Sequence, residues 1–180
     1  MWPFVRRNRL APIERLHDRV AALARKRRLF ADFGVADSFE GRFELLVLHL
    51  ALVLRRLAEL PPPAQDAAQD LTNIAFRRLD QGLREIGIGD LGVPKRMLTL
   101  AGAFYGRAAA YDAAFNSGER AKLIDALRRN VFAGEAADYD GLARHVEALR
   151  CRLAHCDLDA LLGCEFEGNE PTNIALGETT

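Results

Sequence analysis

The sequence predicts an all-α fold, a single-domain bundle of about six helices with no sheet. Three observations predict it. Apolar residues recur three and four positions apart through most of the chain, which is the spacing of one helix face. No segment alternates apolar and polar residues with period two over a strand's length. Helix punctuation falls between the periodic stretches, at Pro61-Pro62-Pro63, Gly87, Pro94 and Ser117-Gly118.

The elements follow in order. Ile13, Leu16, Val20, Leu23 and Ala24 give a first helix over about 12–31, ending before Gly34 and heavily basic in its last turns. Asp37 and Ser38 are N-cap candidates for a second helix, about 39–60, whose Phe43, Leu46, Leu50, Val53, Leu54 and Leu57 make it the most hydrophobic segment and the expected centre of the core. The three prolines forbid its continuation and open a third helix, about 64–86, with Leu71, Ala75, Leu79, Leu83 and Ile86 inside and Gly87 as a left-handed cap. Pro94 opens a fourth, to about Asn116, with Met97, Ala101, Phe104, Ala108, Tyr111 and Phe115 on one face. A fifth, about 119–132, buries Leu123, Ala126 and Leu127, and a sixth runs from about Tyr139 to Ala154 with a short extension to Leu162. The division is a basic segment 1–11, a helical domain 12–163, and an acidic tail 164–180 that lacks periodicity and is expected to be extended or disordered.

Composition bounds the function. The chain of 180 residues is 49 % hydrophobic, enough for one core, and its formal net charge is zero, so the whole molecule has no strong electrostatic pull toward nucleic acid or an anionic bilayer. The charge is unevenly placed. Residues 1–30 hold nine basic side chains against two acids, and residues 133–180 hold ten acids against three arginines, which reads as a charge dipole. Cys151, Cys156 and Cys164 are odd in number, so a disulfide framework is not expected and a reducing compartment is. The N-terminus lacks an apolar core or cleavage site and reads as the mature start. The run Leu45–Leu54 is about half the roughly 20 residues that a membrane span needs.

Motifs of catalysis are weak. Gly87-Ile88-Gly89-Asp90-Leu91-Gly92 spells a dinucleotide fingerprint, but it follows a helix where that fingerprint needs a strand, and a structured connection pinned by Ile88, Leu91 and Val93 is the better reading. Glu14 and His17 form one Glu-x-x-His pair, where a di-iron bundle needs two, so a solvated helix face is expected. Cys151, His155, Cys156 and His145 match no common zinc spacing, and no metal or cofactor is expected. Ser38 and Ser117 sit at helix boundaries, and His49 lies in an apolar helix as a hydrogen-bonded core histidine, so no catalytic residue is assigned and the chain is read as a non-enzyme.

Residues 83–112 do something that a plain bundle does not require. Lys95 and Arg96 occupy a first helical turn, where cations are disfavoured by a few tenths to about 1 kcal/mol; either Asp90 and nearby acids offset them or they face an acidic partner. Gly102, Gly106 and Ala110 recur every fourth residue, although a mid-helix glycine costs about 1 kcal/mol relative to alanine. Such a ridge packs tightly against another helix of the chain or receives a partner helix. Phe104, Tyr105, Arg107, Tyr111 and Asp112 beside it are residue types on which binding hot spots are built.

The run Leu-Arg-Glu-Ile-Gly-Ile-Gly-Asp-Leu-Gly-Val-Pro-Lys-Arg-Met, residues 83–97, followed by Ala-Phe-Tyr-Gly-Arg-Ala-Ala-Ala-Tyr-Asp-Ala-Ala-Phe, residues 103–115, resembles the ubiquinol-cytochrome c chaperone family. Ala-Leu-Arg-Arg-Asn-Val-Phe, residues 126–132, is similar to a third block, and the resemblance spans roughly 30–135. It implies an assembly chaperone that binds newly made cytochrome b without a cofactor, in a bacterial setting, cytoplasmic and peripheral at the inner membrane. Asp90, Val93, Lys95, Arg96, Gly102, Phe104, Tyr105, Gly106, Arg107, Tyr111 and Asp112 are the expected partner contacts. Trp2, Phe4, Arg25, Lys26, Arg27 and Arg28 are either solvated or meet an anionic membrane surface. The resemblance also implies contact with a ribosome or a small partner protein, while a second reading takes the basic N-terminus as a ribosome or RNA contact of a translational accessory protein, and no specific DNA contact is expected.

Overall fold

The structure, a computed structural model, describes residues 3–85, 87, 89, 92–132, 137–164 and 166, with side chains from residue 10 onward. Its order is α1 (Pro3–Leu23), α2 (Arg27–Ala31), α3 (Phe39–Glu59), α4 (Ala64–Glu85), α5 (Val93–Ser117), α6 (Arg120–Asn130), α7 (Tyr139–Ala154) and α8 (Leu158–Leu162). Among the described residues there is no strand. The class is all-α, as the periodicity requires.

Most boundaries fall where local chemistry puts them. The Ser38 hydroxyl accepts the Gly41 N–H at 3.1 Å and opens α3. The Asp138 carboxylate accepts the Gly141 N–H at 2.8 Å and opens α7. Gly87 and Gly118 stand at φ 86° and 68°, the left-handed region that stops α4 and α5. The first helix differs from expectation: it starts at Pro3, runs through Pro12, and gives way after Leu23 to the separate short α2. A proline's preference for the first turn cannot tell an opening proline from an interior one that merely removes a ladder hydrogen bond. The sixth expected helix likewise divides, with Asp157 capping α8 as a new start.

α3 is the axis of the bundle. It packs against α1, α4, α5 and α7, so side chains on almost every side of it are buried, from Phe43 through Leu45, Leu48 and Leu52 to Leu57. Burying each such side chain stabilises by about 1.5–3 kcal/mol, whereas exposed ion pairs such as Arg77–Glu14 (2.7 Å) contribute at most about 1 kcal/mol. The apolar core therefore determines the fold.

Packing corrects one expectation. His17 is buried and Glu14 ties α1 to α4 through Arg77, so this pair is not a solvated face. α1 packs against α8, with Arg15 and Arg19 close enough to act on the Cys164 thiol. Of the three free cysteines, Cys156 is buried and Cys151 exposed, and no group of three metal-ligating side chains assembles among the described residues.

Candidate functional site

α5 has two faces with different fates. Its inner stripe, Val93, Leu100, Phe104, Tyr111 and Ala114, is buried against α3, α4 and α6. Phe104 packs edge-on against Phe76 of α4 at 5.3 Å. Its outer arc runs through Lys95, Leu98, Thr99, Gly102, Tyr105, Gly106, Ala109 and Ala113, all exposed. Leu98 and Tyr105, 77 % and 58 % exposed, are the exposed large hydrophobic side chains of the described molecule, and both belong to this arc.

The small residues settle which way the ridge faces. A Cβ built on Gly102 or Gly106 meets nothing within 4 Å, so these glycines do not serve close packing within the chain. Of the two readings of the ridge, close packing within the chain is thereby removed for both glycines. From Leu98 to Ala109 the arc carries no charge over about 16 Å at 1.5 Å per residue. A solvent face of an ordinary surface helix is charged or polar.

The charged residues at the ends and flank are structural ties. Arg96 reaches Glu40 at 3.3 Å and lies 5.5 Å over the Phe39 ring, so a residue of α3 offsets its awkward first-turn position. Asp112 accepts from Arg55, which also donates to Asn116 at 2.9 Å. Arg107 donates through Nε to both carboxylate oxygens of Glu44 at 3.1 Å. Burial raises the Glu44 carboxyl above its usual range more than Arg107 lowers it. Arg107→Met should therefore cost about 1–3 kcal/mol at neutral pH by leaving this carboxylate without its partner. A raised carboxyl pKa gives stability that is present below the unfolded value and lost as pH rises through the folded one. Urea midpoints of variant and parent should accordingly converge on acidification.

The predicted contact residues thus separate. Lys95, Gly102, Tyr105 and Gly106 share the open arc; Arg96, Arg107 and Asp112 are engaged within the chain; Val93, Phe104 and Tyr111 are core, which corrects their assignment to a surface. Asp90, Trp2 and the Phe4 side chain lie outside the described residues, as do Ile88 and Leu91 of the loop. Sequence reasoning missed Leu98, Ala109 and Ala113, although their spacing from Gly102 places them on its face. Of the N-terminal cations, Arg25 and Arg27 are exposed, Lys26 is partly buried, and Arg28 lies 5.3 Å over the Phe33 ring. No described helix is long and apolar enough to cross a membrane.

The fold is an all-α bundle whose fifth helix leaves an arc open that is uncharged between Lys95 and Asp112. The sequence matches the family model described as ubiquinol-cytochrome C chaperone over residues 31–166, and the chain belongs to that family. The crystal structure of the Cbp3 homologue from Brucella abortus is similar, at 37 % identity and a TM-score of 0.77, with 88 % of this chain and 90 % of that chain covered. No match was found among curated proteins.

Proposed function

We propose that this protein is an assembly chaperone that holds newly made cytochrome b until haem insertion and subunit joining proceed. It works by non-covalent binding, peripheral to the cytoplasmic face of the inner membrane. The observation that carries the reading is the open arc of α5: two exposed large apolar side chains flank glycines with empty space above them. A ridge of this kind lets a second helix approach backbone to backbone, with Leu98 and Tyr105 as anchors at its edge. Family membership supplies the client class, a chain of the ubiquinol-cytochrome c system.

The double variant Gly106→Arg, Ala109→Arg tests it by affinity capture from detergent-solubilised membranes. Both positions are exposed and helical, and arginine is a better helix former than glycine, so stability should stay within about 1 kcal/mol of the parent. Capture of cytochrome b should fall at least tenfold, since each arginine fills the space a backbone would occupy. Undiminished capture by a folded double variant rejects the arc as the binding face.

A further inference from the structure

We infer that the end of the bundle around Arg25 and Phe39 binds an anionic phospholipid of a bilayer surface, with an acyl chain in a cleft and the head group on its arginine rim. The inference rests on the reading that the protein works at a membrane. The cleft has a volume of about 190 Å³. Its walls are Ala21 and Ala24 of α1, Phe39, Phe43 and Leu46 of α3, and Leu79 of α4. Phe39, Leu46 and Leu79 are only partly buried, so an apolar surface reaches the mouth.

Two guanidinium groups, of Arg25 and Arg42, line the same cleft. Arg25 is exposed and makes no ion pair among the described residues, and neither does Arg27 just beyond it. Arg42 gives its Nε to Asp37 at 2.6 Å and keeps its terminal N–H groups. Asp37 and Glu40, close to Phe39 in the chain, are matched by Arg42 and Arg96. An apolar cleft rimmed by Arg25, which makes no ion pair among the described residues, and by the terminal N–H groups of Arg42 is complementary to a molecule with an apolar tail and an anionic head.

Flotation of the full-length protein tests the site, with vesicles of phosphatidylcholine alone and of phosphatidylcholine mixed with phosphatidylglycerol. Lysophosphatidylglycerol below its micellar threshold and glycerophosphoglycerol are the soluble probes. The protein should float with the anionic vesicles and bind the lysolipid but not the bare head group. Arg25→Glu, at an exposed position, should reduce vesicle partition about tenfold, because it removes one attraction and adds a repulsion. Ala21→Leu, which fills the cleft and leaves every charge, should abolish lysolipid binding, with thermal melting as the check on folding. Equal flotation with both vesicle types, or lysolipid binding unchanged in a folded Ala21→Leu protein, overturns the proposal. So does no flotation at all, the outcome if the cleft receives a side chain of a protein partner. None of these variants touches α5, so a lipid failure with cytochrome b capture intact counts against this site and not against the chaperone reading.

Discussion

Tyr111→Ala is expected to lower the stability of the protein by about 3–5 kcal/mol, the range for removing a buried aromatic ring. Tyr111 is fully buried, among the largest such side chains of the core. Its hydroxyl lies beside the Asn130 side chain, and neither the hydroxyl nor the Asn130 amide nitrogen closes a hydrogen bond of ordinary geometry. Burial, with the Glu44 charge nearby, pushes the phenol well above its ordinary pKa, so it stays neutral at any working pH. Tyr111→Phe keeps the ring and removes an unsatisfied polar atom, and should change stability by less than about 1 kcal/mol in either direction. Urea unfolding of the two variants checks this pair. A comparable loss in both would mean that the hydroxyl carries a hydrogen bond. Loss of client binding on truncation at Tyr111 then reports a broken core, and only variants on the outer arc of α5 speak to binding.

Acidification should destabilise the fold through His49. Its ring is buried in α3, Nδ1 donates to the Leu45 carbonyl at 2.7 Å, and Nε2 has no hydrogen-bonding partner. Desolvation lowers its pKa from 6.5 to about 4, and the Lys26 charge acts in the same direction. With a lowered folded pKa, the unfolded chain takes up the proton first. The stability held by the neutral imidazole is complete above 6.5 and is lost as pH falls through the folded value near 4. At 1.36 kcal/mol per unit the loss is about 3 kcal/mol over that window, a large part of the 5–15 kcal/mol that an ordinary domain possesses. His17, buried and likewise lowered, adds to it in the same sense. Denaturant midpoints across the window should fall steeply for the parent and less steeply for His49→Leu. Equal slopes would show that His49 is hydrated or already charged in the native state.

The parts of the fold written in local chemistry were legible. α3, α4, α5 and α7 begin and end within about two residues of where proline, glycine and capping side chains place them. Those signals act over one turn and need nothing from the rest of the chain. The candidate site was legible only as a segment. α5 is apolar on both sides, with Phe104 and Tyr111 on one and Leu98 and Tyr105 on the other, so periodicity alone does not say which side faces the core. That choice is made by α3, α4 and α6, which cover one side. The charged residues were hidden for a related reason. Glu44 and Arg107 are 63 positions apart and Glu40 and Arg96 are 56, and no local pattern distinguishes an arginine that meets a carboxylate across the bundle from one that meets a partner.

The two bare glycines of α5 also bear on its mechanics. Each gives up about 1 kcal/mol of intrinsic helicity relative to alanine, and neither gains a contact in exchange. The helix is tied to α3 through Arg96 and Asp112 near its ends. Its stiffness is therefore least midway along the arc, where glycine pairs are among the recognised sites of helix bending. A client helix of differing curvature, held as proposed above, would meet a surface that yields at its centre and is anchored at its extremities.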